Sequence, residues 1–270
     1  MGEVDRKGFQ MKAGIFTAVA AAGLIASPAA ADTIELTGTV RDFKITHPDM
    51  QAFSNVSHKN MVESQLGADG KPVLNAAYMK AYGSNRAVTS EASFNQWYND
   101  VPGVNVSFPH TIVLENHSDE SGGVYVFARE KQSSGSDQFF FPADGKGWND
   151  NQTVATGTHN FYFTYEIETS FTYTDPADRG HDLVFSFTGD DDVWVFINGK
   201  LAVDIGGVHR QESGSINLDE MAAELGLEPG GNYQLKLFFA ERRTTESNFR
   251  IETTLELDIP EPTTVEPLFD

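Results

Sequence analysis

The 270-residue chain predicts an all-β fold, an antiparallel β-sandwich of jelly-roll-like build with one or two short helices. Two observations carry this. The apolar run Val193-Trp194-Val195-Phe196-Ile197 is followed by Asn198-Gly199 and then by Leu201-Ala202-Val203-Asp204-Ile205. Asn-Gly tolerates the positive φ of a type I′ turn, so the two runs read as a tight hairpin. Elsewhere, many short runs rich in β-branched and aromatic residues alternate with turn signals, the pattern of a sandwich. With a two-residue turn, Ile197 pairs with Lys200 and Trp194 with Val203. Residues 193, 195 and 197 then face one way, 194 and 196 the other. Both sets are apolar, which predicts a central hairpin buried on both faces.

In chain order, residues 11–31 carry Lys12, an apolar stretch Ala13–Ala26 and Ala29-Ala30-Ala31. This is the pattern of a cleaved export signal, with Met11 as initiator and Asp32 as the new N-terminus. The apolar run is too short to span a bilayer. Three segments are expected: upstream residues and leader 1–31, the β-sandwich 32–258, and a Pro-rich acidic tail 259–270. Thr33–Phe43 alternates as a first strand. From His47 to about Asn105 the chain reads as mostly irregular, with a short helix over Ser90–Tyr98 capped by Ser90 or Ser93. Thr111–Leu114, Val124–Ala128, Phe161–Tyr173, Leu183–Thr188, Ser215–Leu218, Asn232–Ala240 and Asn248–Asp258 read as strands. Leu218–Leu225 is the one clear helix, with Asp219 as N-cap and Gly226 just past its end.

Composition narrows function. With 19 basic and 39 acidic residues, the net charge of −20 argues against nucleic acid and anionic lipid as partners. There is no Cys, so an exported chain of this kind relies on its core, helped by any bound metal, rather than on disulfides. The seven His are scattered, without a zinc-protease spacing, and neither a nucleophile elbow nor a phosphate loop is present. The expectation is therefore a binding module and not an enzyme, although 39 acids always allow a glycosidase-like carboxylate pair to be imagined.

The most informative stretch is Asp190-Asp191-Asp192, directly before the core strand. Three adjacent carboxylates at a core edge repel one another and resist burial. Calcium, a hard cation that takes oxygen ligands, would neutralise them. The alternative is a solvated turn. His209, after Gly206-Gly207, can face the acids or bond only backbone. Trp148, in the Gly-rich loop 143–151, can stack on a sugar ring or plug the core edge.

Gly189-Asp190-Asp191-Asp192-Val193-Trp194-Val195-Phe196-Ile197-Asn198-Gly199-Lys200, Asp204-Ile205-Gly206-Gly207-Val208-His209, Leu237–Arg242 and Ser247–Ile251 together resemble the fibro-slime domain. Arg41-Asp42-Phe43, His47-Pro48-Asp49, Phe94–Tyr98 and His159-Asn160-Phe161 extend the resemblance over nearly the whole chain after the leader. Arg243 stands where that family has His and Met50 where it has Phe; neither is expected at the acid cluster. The hairpin is also similar to the protective-antigen-type lectin domain of flocculin adhesins. There two successive Asp, joined by a cis peptide, bind calcium, and calcium bridges to sugar hydroxyls. The resemblance implies Asp190, Asp191 and Asn248 as calcium ligands, Asn248 by position. It implies a glycan at Asp190 and Asp191, in a secreted or cell-surface adhesion or matrix-recognition protein; Trp148 and His209, by their loop positions, are the further candidate sugar contacts. Asp192 falls where those lectins often have Gly. Pro260-Glu261-Pro262 resembles the start of an export-sorting tail, without the apolar helix and basic cluster that would follow, so no anchor is expected. A structural surface module with calcium only bracing loops, and a carbohydrate-active enzyme, remain as alternatives.

Overall fold

A computed structural model describes residues 33–117, 123–133 and 137–258. The expected leader and its cleavage point, and the tail, lie outside the described residues. Fourteen strands are described: β1 Thr33–Phe43, β2 Val56–His58, β3 Asn105–His117, β4 Val124–Arg129, β5 Gln152–Val154, β6 Gly157–His159, β7 Phe163–Thr172, β8 Val184–Gly189, β9 Asp192–Ile197, β10 Lys200–Val208, β11 Glu212–Asn217, β12 Asn232–Glu241, β13 Phe249–Thr253 and β14 Leu257–Asp258. The α-helices are α1 Ala76–Tyr82, α2 Glu91–Phe94 and α3 Leu218–Leu225. Twelve strands form one sheet in the order β11-β8-β13-β4-β3-β1-β7-β12-β9-β10-β2, with β14 added on β7. All of the described pairings are antiparallel.

The sheet curls so that strands far apart in its order share one core. Ile34 and Leu36 of β1, Phe187 of β8, Val193, Val195 and Ile197 of β9, Ile205 of β10 and Phe249 of β13 all lie in it. The fold is thus the antiparallel, sandwich-like all-β architecture that the patterning predicts. The opposite face of β9 is equally buried. Trp194 and Phe196, with Phe238 and Ala240 of β12, pack under Met61, Val62, Leu74, Tyr78, Val88, Phe94, Trp97 and Tyr98. The segment between β1 and β3 is therefore a covering layer over the second face. All of β9 is buried, and each such aliphatic or aromatic side chain contributes about 1.5–3 kcal/mol.

Local structure follows the sequence with three corrections. Asn198 and Gly199 take φ of 50° and 74°, the type I′ turn, and Ile197 does pair with Lys200. Trp194, however, pairs with Asp204 and not Val203, because the register shifts between Leu201 and Val203. The bulge puts Asp204 opposite Trp194, whose indole Nε1–H donates to Asp204 Oδ1 at 3.1 Å. Second, α3 is capped by Asn217, whose side chain accepts from the N–H groups of Asp219 and Glu220. Asn217 keeps an extended backbone, as an N-cap must, while Asp219 already lies in the first turn and binds Arg179. Gly226 ends α3 at φ 74°, as predicted. Third, α1, capped by Asn75, falls in the stretch expected to be irregular, and holds Tyr78 in the covering layer. Ser90 caps α2 as expected.

Candidate binding site at the Asp190–Asp191 pair

The site is built where β8 ends and β9 begins. Gly189, the last residue of β8, lies so close to the Asn248 carbonyl and the Phe187 ring that no side chain fits there. The chain then passes through a cis peptide between Asp190 and Asp191 and enters β9 at Asp192. All three acids are buried, at 7%, 4% and 0% exposure, so the solvated-turn alternative is set aside.

The three carboxylates have separate partners. Asp190 is clasped by Asn248: the main-chain N–H donates to Oδ1 at 2.5 Å, and Nδ2–H to Oδ2 at 2.8 Å. Asn248 Oδ1 in turn accepts from the Lys131 N–H at 2.7 Å. Asp191 accepts from the main-chain N–H groups of His209 and Arg242, each at 3.2 Å. Asp192 turns away from the pair. Its Oδ1 accepts from Gly207 N–H, and its Oδ2 accepts from Arg242 Nε–H at 2.6 Å. Arg242 is itself fully buried. Its Nη1–H groups donate to the carbonyls of Ala87 and Asp49, and its guanidinium lies 4.6 Å from the Trp97 ring centroid.

A fourth carboxylate, not anticipated from sequence, completes the cluster. β12 pairs with β9 so that Ala240 faces Asp192, which sets Glu241 and Arg242 beside the acids. Glu241 is 1% exposed; its Oε1 accepts from Arg243 N–H, and its Oε2 has no hydrogen-bond partner. The signal was present as an acidic and a basic residue closing the apolar run Leu237–Ala240, but only the strand register assigns them to this end. Burial pushes Asp190 up to about 6, against the pull of its Asn248 bonds. Burial raises Asp191 well above the usual carboxylate range; Arg242 opposes this, and Asp190 and Asp192 add to it. Burial, then Asp191 and Asp190, likewise hold Glu241 well above its ordinary value. Asp192 takes the buried Arg242 guanidinium, and Asp190, Asp191 and Glu241 make no ion pair among the described residues.

Asp190 and Asp191 form the floor of an open pocket of about 460 Å³. His209, Lys131, Arg210, Arg243 and Glu246 line its walls. The main-chain N–H of His209 binds Asp191, and the residue lines the pocket. Its Nδ1–H donates to the Arg210 carbonyl at 2.7 Å, while Nε2 is buried without a partner. Arg243 corrects its expected remoteness, since it lines the same pocket; Met50 lies away in a small core with Phe43, Phe161 and Tyr162.

Trp148 is not brought to this pocket. Its main-chain N–H donates to the buried carboxylate of Asp42, and Lys44 Nζ sits 4.0 Å from its ring centroid. Asp42 also accepts from Asn160 Nδ2–H at 2.7 Å, and burial raises its pKa to about 6. The loop carrying Trp148 therefore closes one end of the sheet.

An oxygen-only donor set with more negative than positive charge fits a hard divalent cation. Asp190 and Asp191 would hold it; Asn248, expected as a third ligand, instead turns its Nδ2–H to Asp190 and its Oδ1 to the Lys131 N–H. Among the described residues, no three His, Asp or Glu side chains converge as a complete metal-ligand set. No helix among the described residues is long and apolar enough to cross a membrane.

The sequence profile of the PA14 domain matches residues 148–270, the part that contains the acid cluster, the hairpin and Asn248. Protein psiR of Dictyostelium discoideum is 38% identical over 79% of this chain and 20% of its own length. Protein psiC of the same organism is 35% identical over 83% of this chain and 42% of its own length. The chain thus spans a fifth to two fifths of these relatives. Among solved structures, the PA14 sugar-binding domain from an RTX adhesin aligns over 83% of this chain and 95% of that one, with 10% identity and a TM-score of 0.28. The epithelial adhesin 9 A domain of Candida glabrata, solved with Galβ1-4GlcNAc, aligns over 81% and 80%, with 10% identity and a TM-score of 0.26.

Proposed function

We propose that this domain is a calcium-dependent carbohydrate-binding module of an exported or cell-surface protein, acting in adhesion or matrix recognition. The observation that carries the proposal is the Asp190–Asp191 pair. Both carboxylates are buried, both border the pocket, and the one buried guanidinium beside them is held by Asp192. Calcium on the pair would offset the repulsion between two adjacent buried carboxylates, and would offer its open positions to vicinal sugar hydroxyls from the pocket side. The PA14 match over 148–270 supports the reading, because it falls on the residues that carry the resemblance to protective-antigen-type lectins. The fibro-slime assignment rests on the sequence motifs. Trp148 has no part in this sugar site.

A second reading is favoured by the hydrogen bonds that all four oxygens of the Asp pair accept. On that reading, calcium braces the loops and no sugar enters. Glycan-array binding with calcium and with chelator separates the two. The lectin reading expects glycan signal that vanishes with chelator, with single-site Kd on the order of millimolar to high micromolar, since a small polar ligand displaces bound water. A calcium-stabilised protein that binds no glycan on the array would leave the bracing role alone. Sugar binding that persists in chelator would refute the calcium bridge.

A further inference from the structure

The pocket over Asp190 and Asp191 is bordered by cations, in a chain where acids outnumber bases by 39 to 19. Lys131, Arg210 and Arg243 reach it from three separate segments: the loop after β4, the turn between β10 and β11, and the residues after β12. They are not equivalent. Lys131 Nζ donates to Glu246 at 2.7 Å, and that pair balances itself. Arg243 is half-buried and held in place by carbonyls: its Nη1 donates to Phe53 O at 2.9 Å and Gln51 O at 3.4 Å. Its guanidinium makes no ion pair among the described residues, although its main-chain N–H donates to Glu241. Arg210 is exposed, near enough to Lys131 for their charges to oppose, and likewise makes no ion pair among the described residues.

Two guanidinium groups at one pocket thus make no ion pair among the described residues. The floor acids do not serve as a counter-charge if calcium occupies them. Three cationic and three carboxylate side chains border the pocket, so a bound calcium would leave two positive charges in excess, or one with Glu241 counted behind the wall. A guanidinium fixed by carbonyls, with donors still unused, suits a planar carboxylate, which it can bind through two parallel N–H···O bonds. We propose that the pocket selects an acidic sugar, a hexuronate whose hydroxyls meet calcium at Asp190 and Asp191 and whose carboxylate meets Arg243, with Arg210 supplying further positive charge. The inference rests on the calcium-bridged reading of the same pocket.

The test uses calorimetric titration in calcium with the methyl glycosides of galacturonate and glucuronate, their neutral counterparts of galactose and glucose, and galactose 6-sulfate. Wild type is expected to bind at least one uronate tenfold or more tighter than its neutral counterpart. Arg243→Ala should bring that ratio close to one. Arg210→Ala, at an exposed and unpaired position, should reduce it several-fold, and keeps the test decisive if Arg243→Ala does not fold. Equal binding of acidic and neutral sugars overturns this inference and leaves the lectin reading standing. Preference for the sulfate over both uronates overturns the carboxylate assignment. Calcium-dependent stabilisation with no binding of any sugar overturns the lectin reading itself, and this inference with it.

Discussion

Asp192 and Arg242 form a fully buried ion pair, Oδ2 to Nε at 2.6 Å, with both side chains 0% exposed. The pair joins the head of β9 to the end of β12. Arg242 extends it to the covering layer through the carbonyls of Ala87 and Asp49 and the face of Trp97. One of three consecutive acids is thereby neutralised by protein, which separates Asp192 from the pair beside the pocket.

Removing Arg242 should therefore be costly. Arg242→Met leaves Asp192 buried without its partner, and an uncompensated buried charge costs about 3–5 kcal/mol. Urea denaturation should show a correspondingly lower midpoint, with a similar slope if the unfolding remains two-state. A loss below about 1 kcal/mol would mean that water replaces the guanidinium.

Calcium should raise the melting temperature, and magnesium much less, because the smaller ion demands a stricter octahedral shell. At a hundredfold excess over Kd, the stabilisation of a metal that binds only the native state is about 2.7 kcal/mol. Asp190→Asn combined with Asp191→Asn should abolish the calcium shift and leave the β-sheet circular dichroism unchanged, since β8 and β9 pack through other residues. The same shift in the double variant would place the ion elsewhere.

Asp42 should make stability depend on pH. Its folded pKa of about 6 lies above the ordinary 3.8, so the native state holds the proton more tightly. The contribution is fully present below pH 4 and is lost as pH rises through 6. Measured against Asp42→Asn, which cannot ionise, wild-type stability should fall by on the order of 2–3 kcal/mol between pH 4 and pH 7. Chemical denaturation of both proteins across that range checks the sign; parallel curves would mean that Asp42 titrates normally.

Two glycines of the hairpin should respond differently to alanine. Gly199, at φ 74°, has open space where a Cβ would lie, so Gly199→Ala costs only the left-handed conformation, about 1–2 kcal/mol. At Gly207, φ 109°, a Cβ would run into the Val56 carbonyl, across from β2. Gly207→Ala should lose more stability than Gly199→Ala, and should raise amide exchange in β2. Equal losses would show that the β2 edge gives way freely.

Much of the fold was legible because it is written in local pattern. β1 alternates over its full length, Asn198-Gly199 specifies its own turn, and the two-faced apolar run of β9 demanded burial on both sides. What covers its second face was not legible. Residues 56–98 hold their apolar side chains at irregular spacing and so carry no period to read. The bulge opposite Trp194 was hidden for a related reason: the Trp194–Asp204 hydrogen bond that accompanies it exists only between paired strands.

The acid cluster divides in the same way. The residues themselves marked all three acids, because adjacent carboxylates before a core strand need compensation wherever the chain goes; the resemblance to the lectin domain singled out Asp190 and Asp191. Neither could tell that Asp192 is answered by Arg242, that Glu241 stands buried behind the pair, or that Arg243 borders the pocket while Trp148 lies away from it. Those facts depend on the register of β12 against β9 and on where separate loops end. Hydrophobic periodicity acts along the chain and is visible in order. Charge compensation acts across space, over distances of a few ångströms, between residues about fifty positions apart.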